Sequence, residues 1–315
     1  MSQGEKMSEV PRILFFGLPA CVSAAALAEL VAAGTRVVAL VVPAGAVPHL
    51  LPGKSMPFAF LEPHQPDGLP LIGGTTADTL GIAWSSGVPV LAVRDLGHAD
   101  TLAALESLAI DVAVVACFTQ RIPAAALRLP RHGFLNIHPS LLPAYRGPVP
   151  VFWQMRDGAE TGVTVHRLDA GLDTGDIVAQ TALSLPDGIS EGDAERQLMA
   201  GGTRLLLDAL GDLPGALART RPQPSGGSYY SFPTDDDFTL STAWPARRAY
   251  NFMKATAHRG IPFRVEIAGK PEMLATADHY EADLVLDRPS VRHGNNILVR
   301  FNPGILYARL ASHRP

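Results

Sequence analysis

Arg12-Ile13-Leu14-Phe15-Phe16-Gly17 is the stretch that decides how this chain folds. It is apolar almost throughout, so it reads as a strand buried on both faces. An Ala/Leu-rich helix follows from Cys21 to Ala33 and ends at Gly34, and Arg36 to Val42 supplies the next strand. Working outward, Val88 to Val93 and Asp111 to Cys117 add two further strands around a helix at Ala99 to Leu108. Strands alternating with helices predict an α/β, Rossmann-like domain: a largely parallel, twisted sheet with helices on both faces and right-handed crossovers. Ligands of such sheets sit beyond the carboxyl ends of the strands, where Phe118 and Asn136 to Pro143 emerge. Gly17 is not followed by Gly-x-Gly-x-x-Gly, and no Gly-Lys-Ser/Thr loop occurs, so dinucleotide and phosphate-loop readings both fail.

Ser190 to Leu210 reads as a helix whose first turn carries Ser190, Glu191 and Asp193, suited to its positive end. Leu213 to Ser231 contains Pro214, Pro222, Pro224, Gly226 and Gly227, a compositional break expected of a linker. Past it, Ser241 is the expected cap of a helix at Ala246 to His258. Short strands are expected at Phe263 to Ala268, Ala282 to Leu286, Asn296 to Phe301 and Ile305 to Leu310, a pattern that suggests a small OB-like β-barrel. The expected division is a flexible tail over residues 1–10, a catalytic domain over 11–212, a linker over 213–235 and the barrel over 236–315.

With 315 residues, 47% of them apolar, the chain can bury the cores of two domains. A formal charge of −4 argues against a general nucleic-acid binder. Cys21 and Cys117 lie in apolar segments far apart and are expected to be buried thiols of a reducing compartment. Met1 to Pro11 is polar and lacks the apolar core of a signal peptide, and no apolar run is long enough to span a membrane. A cytoplasmic enzyme without a membrane partner is the expectation. The histidines are scattered without a ligand cluster; His132 and His138 flank Gly133 to Ile137, but no Cys or carboxylate completes a zinc site, so no metal is expected.

The chemistry concentrates in Asn136-Ile137-His138-Pro139-Ser140-Leu141-Leu142-Pro143-Ala144-Tyr145-Arg146-Gly147, then in Gly171-Leu172-Asp173-Thr174-Gly175-Asp176. Phe134 to His138 reads as a strand, which puts Asn136 and His138 on one face and turns Leu135 and Ile137 into the core. An amide donates to a developing negative oxygen without changing its own charge. An imidazole beside it stabilises the same oxygen or moves a proton, and a carboxylate orients the imidazole or accepts a proton from an attacking amine. Taken alone, Asn-x-His is more often a turn amide beside a satisfied histidine. Asp173-Thr174-Gly175 matches the aspartic-protease triplet, but that chemistry needs a second such motif and none is present.

The conjunction is what carries weight. Asn-x-His-x-Ser-Leu-Leu-Pro-x-x-x-Gly, followed by Asp173 thirty-five residues after His138, strongly resembles the folate-dependent formyltransferases. The resemblance implies Asn136, His138 and Asp173 as the catalytic set and 10-formyltetrahydrofolate as formyl donor. It also implies that the reduced folate lies between Phe118, Gln120, Arg121 and Ile122 on one side and Asp169, Ala170, Gly171 and Leu172 on the other. Ser140, Leu141, Leu142 and Pro143 would line the formyl-bearing arm. Ordinary core packing is the alternative for Phe118 and Ile122, evenly matched for Phe118, and Arg121 reads more readily as a solvated surface charge than as a ligand contact.

Length and domain order are most similar to family members acting on methionyl-tRNA, which makes initiator Met-tRNA the first candidate acceptor. Against it, Pro43 to Pro70, where those relatives carry a basic loop, is Pro-rich and apolar with Lys54 its only Lys or Arg. From Arg247 onward, eleven Lys and Arg face six Asp and Glu, a mildly basic balance. A small amine such as an aminosugar nucleotide, or water in a formyl-folate hydrolase, is therefore kept as an alternative acceptor. A binding protein that kept the fold without the activity is disfavoured by the intact Asn136, His138 and Asp173.

Overall fold

The computed structural model describes residues 10–48, 56–63 and 79–311. Most of the expected tail, the Cys21 side chain and much of the Pro43 to Pro70 loop, Lys54 included, lie outside the described residues. The chain forms two compact units that interleave along the sequence. The first takes Met1–His138, Val163–Thr181 and Leu198–Ser225; the second takes Pro139–Gly162, Ala182–Gln197 and Gly226–Pro315.

The chain opens with β1 (Arg12–Gly17), α1 (Cys21–Ala32), β2 (Arg36–Pro43), β3 (Phe58–Leu61), α2 (Thr79–Ser85), β4 (Val90–Val93), α3 (Ala99–Glu106), β5 (Val112–Ala116) and α4 (Ala124–Leu127). It continues through β6 (Phe134–His138), α5 (Pro150–Asp157), β7 (Gly162–Arg167), β8 (Ile177–Ala182), α6 (Glu191–Gly211) and α7 (Leu213–Ala218). These eight strands lie in the order β3-β4-β2-β1-β5-β6-β7-β8. The run from β4 to β6 is parallel throughout, as the βαβ reading requires. The flanks differ: β3 and β7 join antiparallel, so the sheet is mixed. Strand order reverses between β1 and β5, a switch point whose carboxyl-end crevice is where ligands of open α/β sheets bind.

The core of this unit follows from strand periodicity. Leu14 and Phe16, Ala39 and Val41, Leu91 and Val93, Ala113 and Val115 are alternate residues of four adjacent strands, and they form one buried cluster with Leu105 and Phe134. Behind the motif strand, α6 approaches very closely. A Cβ on Gly202 would run into Ile137 Cγ2 and come within 2.7 Å of Val163 Cγ2. Glycine is required there so that the helix can press β6 and β7 from the face opposite Asn136 and His138.

The second unit adds β9 (Thr239–Leu240), α8 (Ala246–Thr256), β10 (Phe263–Ile267), β11 (Lys270–Glu281), β12 (Ser290–His293), β13 (Asn296–Arg300) and β14 (Ile305–Leu310). Its sheet runs β12-β13-β14-β11-β10-β9, antiparallel except for the β9–β10 pair. Phe152, Phe238, Phe252 and Phe263 form its aromatic centre, with ring centroids 5.4–6.0 Å apart.

Several expectations are corrected. Ala282 to Leu286 is not a strand; Leu284 and Val285 are exposed there, and β11 reaches Glu281 instead. The segment read as a linker begins with α7, whose first turn is capped by the Asp212 carboxylate accepting from Gly215 N–H at 3.1 Å. Pro245, not Ser241, stands at the cap of α8; the Ser241 hydroxyl accepts from Ala243 N–H in the preceding turn. Cys117 is exposed and not a core thiol, because β5 ends at Ala116 and the chain turns into a left-handed conformation (φ 65°).

Candidate active site

Asn136 and His138 project from the same face of β6, and the antiparallel ladder sets them opposite His166 and Thr164 of β7. His138 and Asp173 are buried at 4% and 7% exposure, and His166 is fully buried. The Asp173 carboxylate lies between the two imidazoles, with Oδ1 3.8 Å from His138 Nδ1 and 3.7 Å from His166 Nε2. Those are ion-pair separations, beyond hydrogen-bond reach. All five side chains belong to the first compact unit.

His166 is the site residue that sequence reading missed. Its Nδ1 lies 2.9 Å from the Arg167 carbonyl, which can only accept, so Nδ1 carries the proton. Its Nε2 therefore accepts from the Asn136 amide nitrogen at 3.0 Å. Burial, reinforced by the neighbouring His138, holds the His166 imidazole well below its ordinary pKa even though Asp173 pulls the other way. The ring is neutral at physiological pH and orients Asn136, leaving the second amide hydrogen directed elsewhere. A signal was available: Thr164 and His166 are the polar, alternating positions of an otherwise apolar Gly-Val-Thr-Val-His strand.

Asp173 sits in the loop between β7 and β8. Its backbone is left-handed (φ 54°), a conformation that Asp tolerates better than most residues. Asp169 closes the loop's start, accepting from Gly171 N–H at 2.9 Å and from the Thr174 hydroxyl at 2.7 Å. Gly175 lets the chain return against β7, since a Cβ there would collide with the Arg167 carbonyl.

The two segments expected to hold a flat ring do meet. The Arg121 guanidinium donates to the Ala170 carbonyl at 2.9 Å, tying the loop after β5 to the loop of Asp173. Phe118 is half-buried, edge-on to Phe16 with centroids 5.2 Å apart, and Ile122 packs on the same core cluster. Gln120 donates to the Val93 carbonyl at 2.9 Å, and Leu172 is exposed. A cavity of about 420 Å³ opens here between Arg94, Asp95, Gln120, Arg121 and Pro123.

Ser140, Leu141, Leu142 and Pro143 belong to the second unit. There the Ser140 hydroxyl donates to the Ala144 carbonyl at 2.7 Å, and the Ser228 N–H donates to the Pro143 carbonyl at 3.2 Å. Leu142 is buried. No group of three or more His, Cys, Asp or Glu side chains able to hold a metal occurs among the described residues. No helix among them is long and apolar enough to cross a membrane.

The description "Formyl transferase" belongs to the family model that matches residues 37–210. The methionyl-tRNA formyltransferase of Acidothermus cellulolyticus is 38% identical over 175 residues, which cover 55% of this chain and 54% of that relative. The chain thus spans about half the length of that relative. A methionyl-tRNA formyltransferase from a Synechococcus species is 35% identical over 239 residues, 73% of this chain and 74% of the relative. Among solved structures, the N-formyltransferase of Helicobacter canadensis, bound to folinic acid and dTDP-3-aminofucose, superposes with a TM-score of 0.62 over 95% of this chain and 99% of its own. At 13% identity that likeness concerns the fold alone. The match over more than half of the chain, with the Synechococcus relative aligned along most of its length, means that this chain belongs to the formyl transferase family.

Proposed function

We propose that the chain transfers a formyl group from 10-formyltetrahydrofolate to a primary amine, with the amino group of methionyl-tRNA as acceptor and the cytoplasm as its place of work. The observation that carries this reading is the convergence of Asn136, His138 and Asp173 in one compact unit. The matched relatives named methionyl-tRNA formyltransferase support the acceptor.

The acceptor nitrogen attacks the formyl carbon, and the bond from that carbon to the folate nitrogen breaks. Negative charge develops on the formyl oxygen. Asn136, held by neutral His166, donates its second amide hydrogen to that oxygen, and His138 stabilises it from the same face. The attacking amine must lose a proton; Asp173 is the nearby carboxylate that accepts it, and the departing folate nitrogen takes a proton up as its bond to the formyl carbon breaks. On this reading the folate lies along Phe118, Gln120, Arg121 and Ile122 and against Asp169, Ala170, Gly171 and Leu172.

A second acceptor is favoured by one observation: between Pro43 and Pro70 only Lys54 is cationic, which is poor footing for phosphate contacts. A small amine such as an aminosugar nucleotide, with far fewer phosphates than a tRNA, asks less of that loop. The test is to incubate the protein with 10-formyltetrahydrofolate and follow tetrahydrofolate absorbance with charged initiator Met-tRNA, with a dTDP-aminosugar, and with neither. Turnover only with the tRNA supports the first reading. Turnover only with the sugar supports the second, and equal turnover without any amine would make the protein a hydrolase.

A further inference from the structure

Arg221 is tied to β8 by reciprocal backbone bonds: Ile177 N–H donates to its carbonyl at 2.8 Å, and Arg221 N–H donates back at 3.0 Å. Two residues later, the Gln223 side chain reaches the loop that carries Asp173. Its Nε2 donates to the carbonyl oxygens of both Asp173 and Gly175, each at 2.8 Å. A primary amide nitrogen has two hydrogens, so one side chain serves both carbonyls. Those carbonyls flank Thr174, just past the left-handed Asp173 backbone (φ 54°). Such a conformation persists only where the surroundings over-determine it. The Asp169 carboxylate restrains the loop from within, through Gly171 N–H and the Thr174 hydroxyl; Gln223 restrains it from outside, through the carbonyls on either side of Thr174.

We propose that Gln223 is a positioning residue of the reaction, clamping the Asp173–Gly175 backbone so that the Asp173 carboxylate stays between His138 and His166. The proposal rests on the reading of Asp173 as the proton-accepting carboxylate. Gln223 acts through the Asp173 backbone. That dependence makes the role separable from a general contribution to folding.

The test uses the full chain and measures formyl transfer in four proteins: wild type, Gln223→Met, Asp173→Asn and the double variant. Gln223→Met keeps side-chain length and removes both donors. Expected is a fall in kcat of about tenfold or more in the wild-type background, and of less than about twofold on top of Asp173→Asn, since coupled residues are not additive. Gln223→Glu gives a second readout. Its carboxylate would face two carbonyls that only accept, and protonation restores one donor, so its activity relative to wild type should rise as pH falls. Equal losses from Gln223→Met in both backgrounds, or no loss in either, overturn the proposal. A flat pH ratio for Gln223→Glu, or loss of the cooperative thermal transition in both Gln223 variants, overturns it as well. Wild-type rates in Asp173→Asn alone are a distinct result, removing the underlying role of Asp173 and the clamp with it.

Discussion

The Asn136 amide donates to Nε2 of His166 across the β6–β7 ladder at 3.0 Å, while Nδ1–H of the same ring is spent on the Arg167 carbonyl. The pair turns a flexible amide into a fixed donor. His166→Phe keeps a buried ring and removes the acceptor. Transfer by that variant should fall about tenfold to a hundredfold, with KM for the folate little changed. Steady-state kinetics with a folded, monodisperse variant check this, and an unchanged kcat would remove His166 from the site.

The same burial gives His166 a pH signature. Its folded pKa is depressed below the unfolded value, to about 4 against 6.5. The unfolded chain therefore takes up this proton first, and the stability associated with the neutral ring is present above about pH 6.5 and lost as pH falls toward 4. Thermal unfolding of wild type and His166→Gln across that range should show the wild-type Tm falling more steeply on acidification. Parallel curves would contradict the assignment.

Glu195 has the opposite sign. Burial, with the adjacent Glu191 carboxylate adding to it, pushes its carboxyl up to about 7, partly offset by Arg259 and Arg196. A carboxyl whose folded pKa is raised favours folding at low pH, and that advantage is lost as pH rises from 4.5 through 7. Glu195→Gln should raise Tm above about pH 7 and change it little near pH 4. A Tm gain at acid pH alone would reverse the argument.

Gly202 tests how the motif strand is held. A Cβ there meets Ile137 and Val163 side chains on strands that are buried on that face. Gly202→Ala should cost about 1–3 kcal/mol of stability through overpacking, and it should lower transfer by shifting β6. Chemical denaturation measures the first effect. A neutral or stabilising result would show that the helix can retreat without consequence.

The parallel core was legible because β1, β2, β4 and β5 are nearly continuous apolar runs. The motif strand was legible from its alternation, which correctly separates Asn136 and His138 from Leu135 and Ile137. What escaped depended on pairing. β3 lies within a Pro-rich stretch and is a four-residue antiparallel flank, too short for a periodic signal. The β10–β11 hairpin turns on Ala268-Gly269, both at positive φ; Ala in place of the usual Asn or Asp hides the turn. His166 acquires its role only through register with Asn136, and Gln223 only through reach across the Asp173 loop. Neither relation is written in local spacing.

Asn136, His138 and Asp173 are proposed to perform formyl transfer together. The most direct measurement is the rate of tetrahydrofolate release from 10-formyltetrahydrofolate, with acceptor present, for Asn136→Ala, His138→Ala and Asp173→Ala beside wild type. Rates should fall about a hundredfold or more in each variant, with cooperative thermal unfolding retained. Wild-type rates in all three would contradict it.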